Sequence, residues 1–333
     1  MAIGLWCFGT ALAAFALTAL IGKFLIPYLH KLNFGQTILD IGPSWHKNKQ
    51  GTPTMGGIMF IIGIVVSATI AVILYSAANG SFGSVEKYVF VGLCMALLNG
   101  CIGFIDDYIK VVKKRNLGLT AIQKLIVQFS VAALYLFVMY LLGDDTTVFI
   151  PFVGSVNFGF FYYVLMAVII VGVTNAVNLT DGIDGLDGSI TFFVALFMMM
   201  IASILVIYEP VVIFSAAIAG GCLGFLIWNF HPAKVFMGDT GSLFLGGIIC
   251  AVAFAMDMQI ILLLIGLMYL VEMFSVVLQV LYFKLTHGKR LFKMSPIHHH
   301  FEMCGWNEMK IVSVFSGLTA VFGVIALLLV IFG

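Results

Sequence analysis

The sequence predicts an all-α polytopic membrane protein of about ten transmembrane helices, with both termini outside and the active-site loops cytoplasmic. Three observations carry this. Of 333 residues, 62% are hydrophobic and 9% charged, with a mean hydropathy of +1.15, and so few charges cannot build an aqueous surface. Apolar runs of about 20 residues, long enough to cross a hydrocarbon core, recur along the whole chain. Basic residues, finally, gather in alternate connections.

The spans fall at 3–27, 56–78, 87–105, 123–142, 158–177, 189–207, 211–230, 241–256, 258–283 and 311–332. The opening MAIGLWCFGTALAAF has no charged leader and no cleavage site, so it reads as a retained helix. The connection 143–159, GDDTTVFIPFVGSVNFG, alternates like a small hairpin. Only Asp257 and Gln259 separate the eighth span from the ninth.

Ten spans put connections 28–55, 106–122, 178–188, 231–240 and 284–310 on one side. These and their flanks hold 14 of the 16 basic residues: Lys31, Lys47, Lys49, Lys110, Lys113, Lys114, Arg115, Lys124, Lys234, Lys284, Lys289, Arg290, Lys293 and Lys310. The positive-inside rule makes that side cytoplasmic. All seven histidines and nine of 15 acids fall there too. A net charge of +1 gives no reason to expect a nucleic-acid partner. The six cysteines have no paired spacing, which argues against a disulfide or zinc framework. With no repeat or linker visible, residues 1–333 read as one integral domain.

Five polar runs interrupt the apolar chain. Asp106-Asp107-Tyr108-Ile109-Lys110 ends the third span, with Lys124 entering the next. Adjacent carboxylates beside cations supply hard oxygens for Mg²⁺ and ammonium groups for phosphate; the alternative is a charged helix end anchored at the interface. In VGVTNAVNLTDGIDGLDGSI a polar or acidic side chain falls at every third position: Asn175, Asn178, Asp181, Asp184 and Asp187. Each such step rotates about 60° backwards on a helix, so these groups fan around the axis, and the interleaved glycines predict a broken helix end. An ordinary Gly/Asp turn is the plainer alternative, and Asp187 is the member least expected to matter. Phe236-Met237-Gly238-Asp239-Thr240-Gly241-Ser242 precedes a span; it is either a simple N-cap or a metal ligand beside an anion-binding helix start. Pro296-Ile297-His298-His299-His300-Phe301-Glu302 places three histidines in a cytoplasmic loop, in spacing that suits phosphate or proton handling better than zinc. The fifth run, from Gly42 to Gly57, offers Lys49 and Thr54 to an anion.

In order along nearly the whole chain, GPSWHKNKQGTPTMGG, DDYIK, GLTAIQK, NLTDGIDGLDG, FMGDTGS and PIHHHFE resemble the bacterial MraY family of phospho-N-acetylmuramoyl-pentapeptide-transferases (translocase I), within the polyprenyl-phosphate N-acetylhexosamine-1-phosphate transferases. The resemblance implies transfer of phospho-N-acetylmuramoyl-pentapeptide from UDP-N-acetylmuramoyl-pentapeptide to undecaprenyl phosphate in the bacterial inner membrane. The products are lipid I and UMP, the cofactor is Mg²⁺, and the reaction is the first membrane step of peptidoglycan synthesis. It also implies roles. Asp239, with Asp106 and Asp107, holds the metal; Asp106 is a candidate base; Lys110 and Lys124 bind phosphates. Asn178, Asp181 and Asp184 line the nucleotide pocket with Phe236 against uracil, and Asn175 and Asn229 are further substrate-binding residues. Lys49, Thr54 and the histidines complete the rim, His298 as a catalytic group and His299 and His300 as binding groups. A homodimer is compatible with this reading.

Two rivals are kept. A sister transferase using UDP-N-acetylglucosamine shares most of these motifs, and the His run and GTPTMGG argue against it. A transporter would place ionisable groups within its spans. Here Glu272 is the one acid well inside a span, where anchoring or bending the ninth helix is the plainer role.

Overall fold

The computed structural model describes residues 3–32, 49, 51–80, 82–112, 118–205 and 208–333. Most of the Gly42–Gln50 run and the Lys113–Arg115 cluster lie outside the described residues.

Twelve helices and one hairpin follow in order among them. The helices are α1 (Ile3–Lys31), α2 (Gly57–Asn79), α3 (Ser84–Val112), α4 (Ala121–Leu141), α5 (Phe161–Thr180), α6 (Leu186–Ile204), α7 (Glu209–Asn229), α8 (Gly238–Phe254), α9 (Gln259–Ile265), α10 (Leu267–Leu285), α11 (Ile297–Glu302) and α12 (Glu308–Phe332). Between α4 and α5, β1 (Thr147–Ile150) and β2 (Gly154–Asn157) pair antiparallel with Val148 opposite Val156, the expected hairpin.

Nine of these helices are long and apolar enough to cross a membrane, and α8 is an apolar helix of 17 residues, at the short end of what spans a bilayer. The expected ninth span, 258–283, is interrupted. At Gly266 the chain leaves α9, its N–H still bonded to the Leu262 carbonyl at 2.7 Å, and re-enters helix as α10. The chain is therefore an all-α multi-pass membrane protein.

Packing inside the bundle rests on small residues, as expected where lipid supplies little driving force between helices. α3 lies along α8 so closely that a Cβ on Gly103 would sit 2.0 Å from the Asp239 carbonyl oxygen. That approach brings the acidic end of α3 against the first turn of α8. At the centre Phe60 of α2 meets Phe225 of α7 edge-on at 5.0 Å and Phe244 of α8 at 6.2 Å. Polar groups pair across helices: half-buried Asn175 donates to Gln128 at 2.8 Å, and buried Thr191 and Tyr269 share a 2.6 Å bond. Outward, Phe8, Phe24 and Phe137 are exposed, as a lipid-facing surface requires.

The two ends differ in chemistry. At one, the hairpin receives the C-terminus through Phe152 N–H to the Gly333 carbonyl and the α8–α9 turn through Phe149 N–H to the Asp257 carbonyl. At the other, α3, α5, α7 and α10 end while α4, α6, α8 and α12 begin, and Asp106, Asp107, Lys110, Lys124, Asp184 and Asp239 lie at those ends and starts.

Candidate active site

Local chemistry builds each wall. Thr120 and Gln123 form a capping box, with bonds of 3.2 and 3.0 Å, that starts α4 and points Lys124 inward from its first turn. Asn307 caps α12 through Lys310 N–H at 2.8 Å, which places Glu308 at the first helical position. The Gly-Asp-Thr-Gly-Ser run does not cap itself. Gly238 takes φ +70° and opens α8, and the cap comes from α3. Asp107 Oδ2 accepts from Thr240 N–H at 2.9 Å and Thr240 Oγ1 at 2.7 Å, and its Oδ1 accepts from Asp239 N–H at 3.2 Å.

Asp239 is thereby fixed at the hub. Its Oδ2 lies 2.9 Å from Lys124 Nζ and 3.2 Å from Lys110 Nζ, and its Oδ1 accepts from Asn178 Nδ2 at 2.9 Å. Lys110 also reaches back one turn of α3 to Asp106 at 2.6 Å, the expected i,i+4 pair. Asp106 Oδ1 accepts from Leu119 N–H at 2.7 Å, tying α3 to the segment entering α4. Ser242, which sequence reasoning left as a helix-start residue, joins through Asn178 at 2.8 Å. Asp106, Asp107 and Asp239 each offer an oxygen within 4.8 Å of the others. Three carboxylates converging this closely are the donor chemistry a hard cation takes, and Lys110 and Lys124 offset part of their charge.

The aspartate series divides. Asn178 belongs to the hub. Asp181, half-buried at the end of α5, has its carboxyl pushed well above the ordinary carboxylate range by its poorly solvated surroundings, then by Asp187, Asp239, Asp107 and Asp184. Asp184 anchors a second cluster: Lys49 Nζ lies 2.7 Å from its Oδ1, and His231 Nδ1 is 3.1 Å from its Oδ2. Glu308 completes it, 2.7 Å from Lys49 and accepting from Asp184 N–H at 2.9 Å. Neither His231 nor Glu308 was singled out from sequence. The only signal was an acid just after an Asn N-cap and a His-Pro pair following the seventh span. Asn229 accepts from Gly185 N–H at 3.0 Å and donates to the Val235 carbonyl at 2.9 Å, bracing the turn from behind.

Other expected residues lie apart. Asn175 is held within the bundle by Gln128 and is not brought to either cluster. Asp187 is buried on Thr191. Thr54 comes close: a Cβ on Gly238 would lie 2.7 Å from its Oγ1 and 2.5 Å from Asp107 Oδ2. The Phe236 backbone bonds to the segment before α2, its N–H to the Pro53 carbonyl and its carbonyl to Gly56 N–H, both at 2.8 Å. The histidines do not form one rim. His299 pairs with Glu302 at 2.6 Å, and His300 accepts from Lys293 N–H at 3.1 Å. His298 is wholly enclosed, so it stands behind the site instead of at its edge.

A membrane-embedded ion-pair network of carboxylates and lysines defines a class, and the chain's match to the glycosyl transferase family 4 model over residues 88–257 fits it. Residues 49–61 match a phospho-N-acetylmuramoyl-pentapeptide-transferase signature. Curated relatives of that name align over nearly their full length. The protein of Halalkalibacterium halodurans is 46% identical over 96% of both chains. That of Clostridium perfringens is 47% identical over 94% of this chain and 95% of its own. One from Listeria monocytogenes is 44% identical over 97% and 98%. The chain belongs to the phospho-N-acetylmuramoyl-pentapeptide-transferase family.

Proposed function

We propose that the chain transfers phospho-N-acetylmuramoyl-pentapeptide from UDP-N-acetylmuramoyl-pentapeptide to undecaprenyl phosphate, releasing UMP and leaving lipid I in the membrane. The observation that carries this reading is the hub in which Asp239 meets Lys110, Lys124 and Asn178 at one end of a membrane bundle. A soluble diphosphate and a lipid phosphate can meet only at such an interface. The relatives' names supply the sugar. The distribution of Lys and Arg supports a cytoplasmic placement for this end, with both termini outside, and the relatives' bacterial origin supports a bacterial cell membrane.

At the reacting centre an oxygen of the lipid phosphate bonds to the sugar-linked phosphorus. The bond from that phosphorus to the bridging oxygen breaks, and UMP leaves with the oxygen. A phosphomonoester has a second pKa of about 6, so the attacking group is largely dianionic near neutral pH. Asp106 takes the proton of the remaining monoanion. Lys110 and Lys124 exchange their carboxylate partners for phosphate oxygens, while Asn178, Asp181 and Asp184 face the nucleotide and Phe236 stacks on uracil. Lys49, Thr54 and Asn229 hold the surrounding wall, and His299 and His300 contribute to substrate binding from α11 beside it. Asp239, Asp106 and Asp107 would hold Mg²⁺, which when bound offsets charge on the diphosphate and the departing UMP.

Purified protein given both substrates and Mg²⁺ should release UMP, and chelation should stop it. UDP-N-acetylglucosamine should be a poor donor; turnover of that sugar alone would replace this reading with the sister activity. Direct attack also expects no exchange of labelled UMP into the UDP-substrate when lipid phosphate is absent. Exchange in lipid-free protein would point to an aspartyl-phosphate intermediate instead.

A further inference from the structure

Glu272 is an acid in the middle of the chain's most awkward place for one: α10, a membrane-spanning helix, with no solvent exposure. An isolated carboxylate there is expensive, and such residues are kept where a partner serves them. Among the described residues the side chain has one partner, His298 of α11, which is also fully enclosed. Glu272 Oε2 lies 3.1 Å from His298 Nδ1 and accepts from the His298 backbone N–H at 3.4 Å. One oxygen therefore addresses both the ring and the first turn of α11.

The other side of the imidazole is directed. Neither ring nitrogen of His298 makes a well-aligned hydrogen bond among the described residues, so the 3.1 Å approach of Glu272 to Nδ1 is a charge contact, while on the other side a Cβ added to Gly182 would fall 2.1 Å from Nε2. Gly182 sits between Asp181 and Asp184, in the turn whose Asp184 carries Lys49 and His231. A carboxylate this close to Nδ1 favours the tautomer that carries its proton there, as it does for catalytic and metal-bound imidazoles. The backbone contact ties the first turn of α11 to the same carboxylate.

We propose that Glu272 is a positioning residue. Through His298 it sets the Asp181–Gly182 turn, and with it the wall that receives the UDP-sugar. This rests on the reading of that turn as the nucleotide side of the site. It separates Glu272 from transport and from simple helix anchoring, since neither needs the imidazole.

The test is Glu272→Gln, which keeps the shape and removes the charge, with Glu272→Asp, His298→Asn and the double variant. Glu272→Gln should raise KM for UDP-N-acetylmuramoyl-pentapeptide by roughly 10-fold, the scale at which an outer partner of an imidazole acts. KM for undecaprenyl phosphate should move by less than about twofold, and Glu272→Asp should recover part of the loss. Adding Glu272→Gln to His298→Asn should cost nothing further, because the route through the ring is already broken. A merely structural role predicts fewer active molecules with both KM values intact, and effects that multiply in the double variant. Either result overturns the proposal. In ¹⁵N-histidine-labelled protein, Glu272→Gln should also shift the His298 Nδ1 resonance, because a neutral amide replaces the carboxylate beside it; an unchanged spectrum would overturn it without reference to any substrate. If wild-type protein turned over no UDP-sugar, the functional reading would fail while the spectrum still decided whether Glu272 fixes the ring.

Discussion

Asp107 and Asp239 are neighbours with different tasks. The first directs both oxygens at the opening turn of α8, and the second faces two ammonium groups. Asp239→Asn should keep the fold and lower UMP release at least about 100-fold, as loss of a charge at a reacting phosphate does; full activity would remove the metal and phosphate assignment. Asp107→Asn should lose stability as well, by about 1–3 kcal/mol, because charge-assisted bonds to Thr240 and Asp239 weaken. A melting curve read beside the UMP assay separates the two. The spacing of DD and GDTGS along the chain gave both residues as acids of one site. That one caps the other's helix was invisible, since the bond joins α3 to α8 across 132 positions of sequence.

Among the elements, the turn between α5 and α6 is held from three directions. Lys49 and Glu308 reach it from the segment before α2 and from α12, and Asn229 reaches it from the end of α7. Glu308→Gln keeps an acceptor for Asp184 N–H but weakens the hold on Lys49. We expect KM for the UDP-substrate to rise several-fold while the melting temperature changes little; an unchanged KM would mean that Asp184 alone seats the lysine. At α4, Thr120→Ala removes half of the capping box and should cost about 1 kcal/mol in a thermal or denaturant assay. Periodic apolar runs fixed most helices to within a few residues. The split at Gly266 escaped, because one glycine in a long apolar run leaves the hydropathy unchanged.

Across the whole molecule the two ends differ in how their acids are partnered: lysines face the carboxylates at the site end. At the hairpin end, burial pushes Asp144 up to about 7, helped by Asp257 and Asp145, and pushes Asp257 to about 6, helped by Asp145. Both carboxyls hold their protons more tightly in the folded protein than in the unfolded chain. Stability should therefore rise as pH falls from about 7 towards the ordinary carboxylate range near 4, and the penalty is complete above 7. Asp144→Asn should raise the melting temperature at pH 8 and bring little gain near pH 4. An equal gain at both pH values would show that the carboxyl titrates normally.

Composition and hydropathy by themselves determined a helical membrane protein, and the order of the motifs determined its family resemblance, because both are properties of residues near one another in the chain. Basic residues in alternate connections placed the chemistry at one end for the same reason. Only the tertiary structure decided which polar groups meet. It moved Asn175 and Asp187 into the bundle, set His298 behind Gly182, gave the span's lone acid a partner, and added His231 and Glu308 to the wall. Those outcomes depend on how closely helices approach and which way their ends turn. Close approach is set by small residues facing one another across the bundle, as Gly103 faces Asp239, and linear sequence does not state who faces whom.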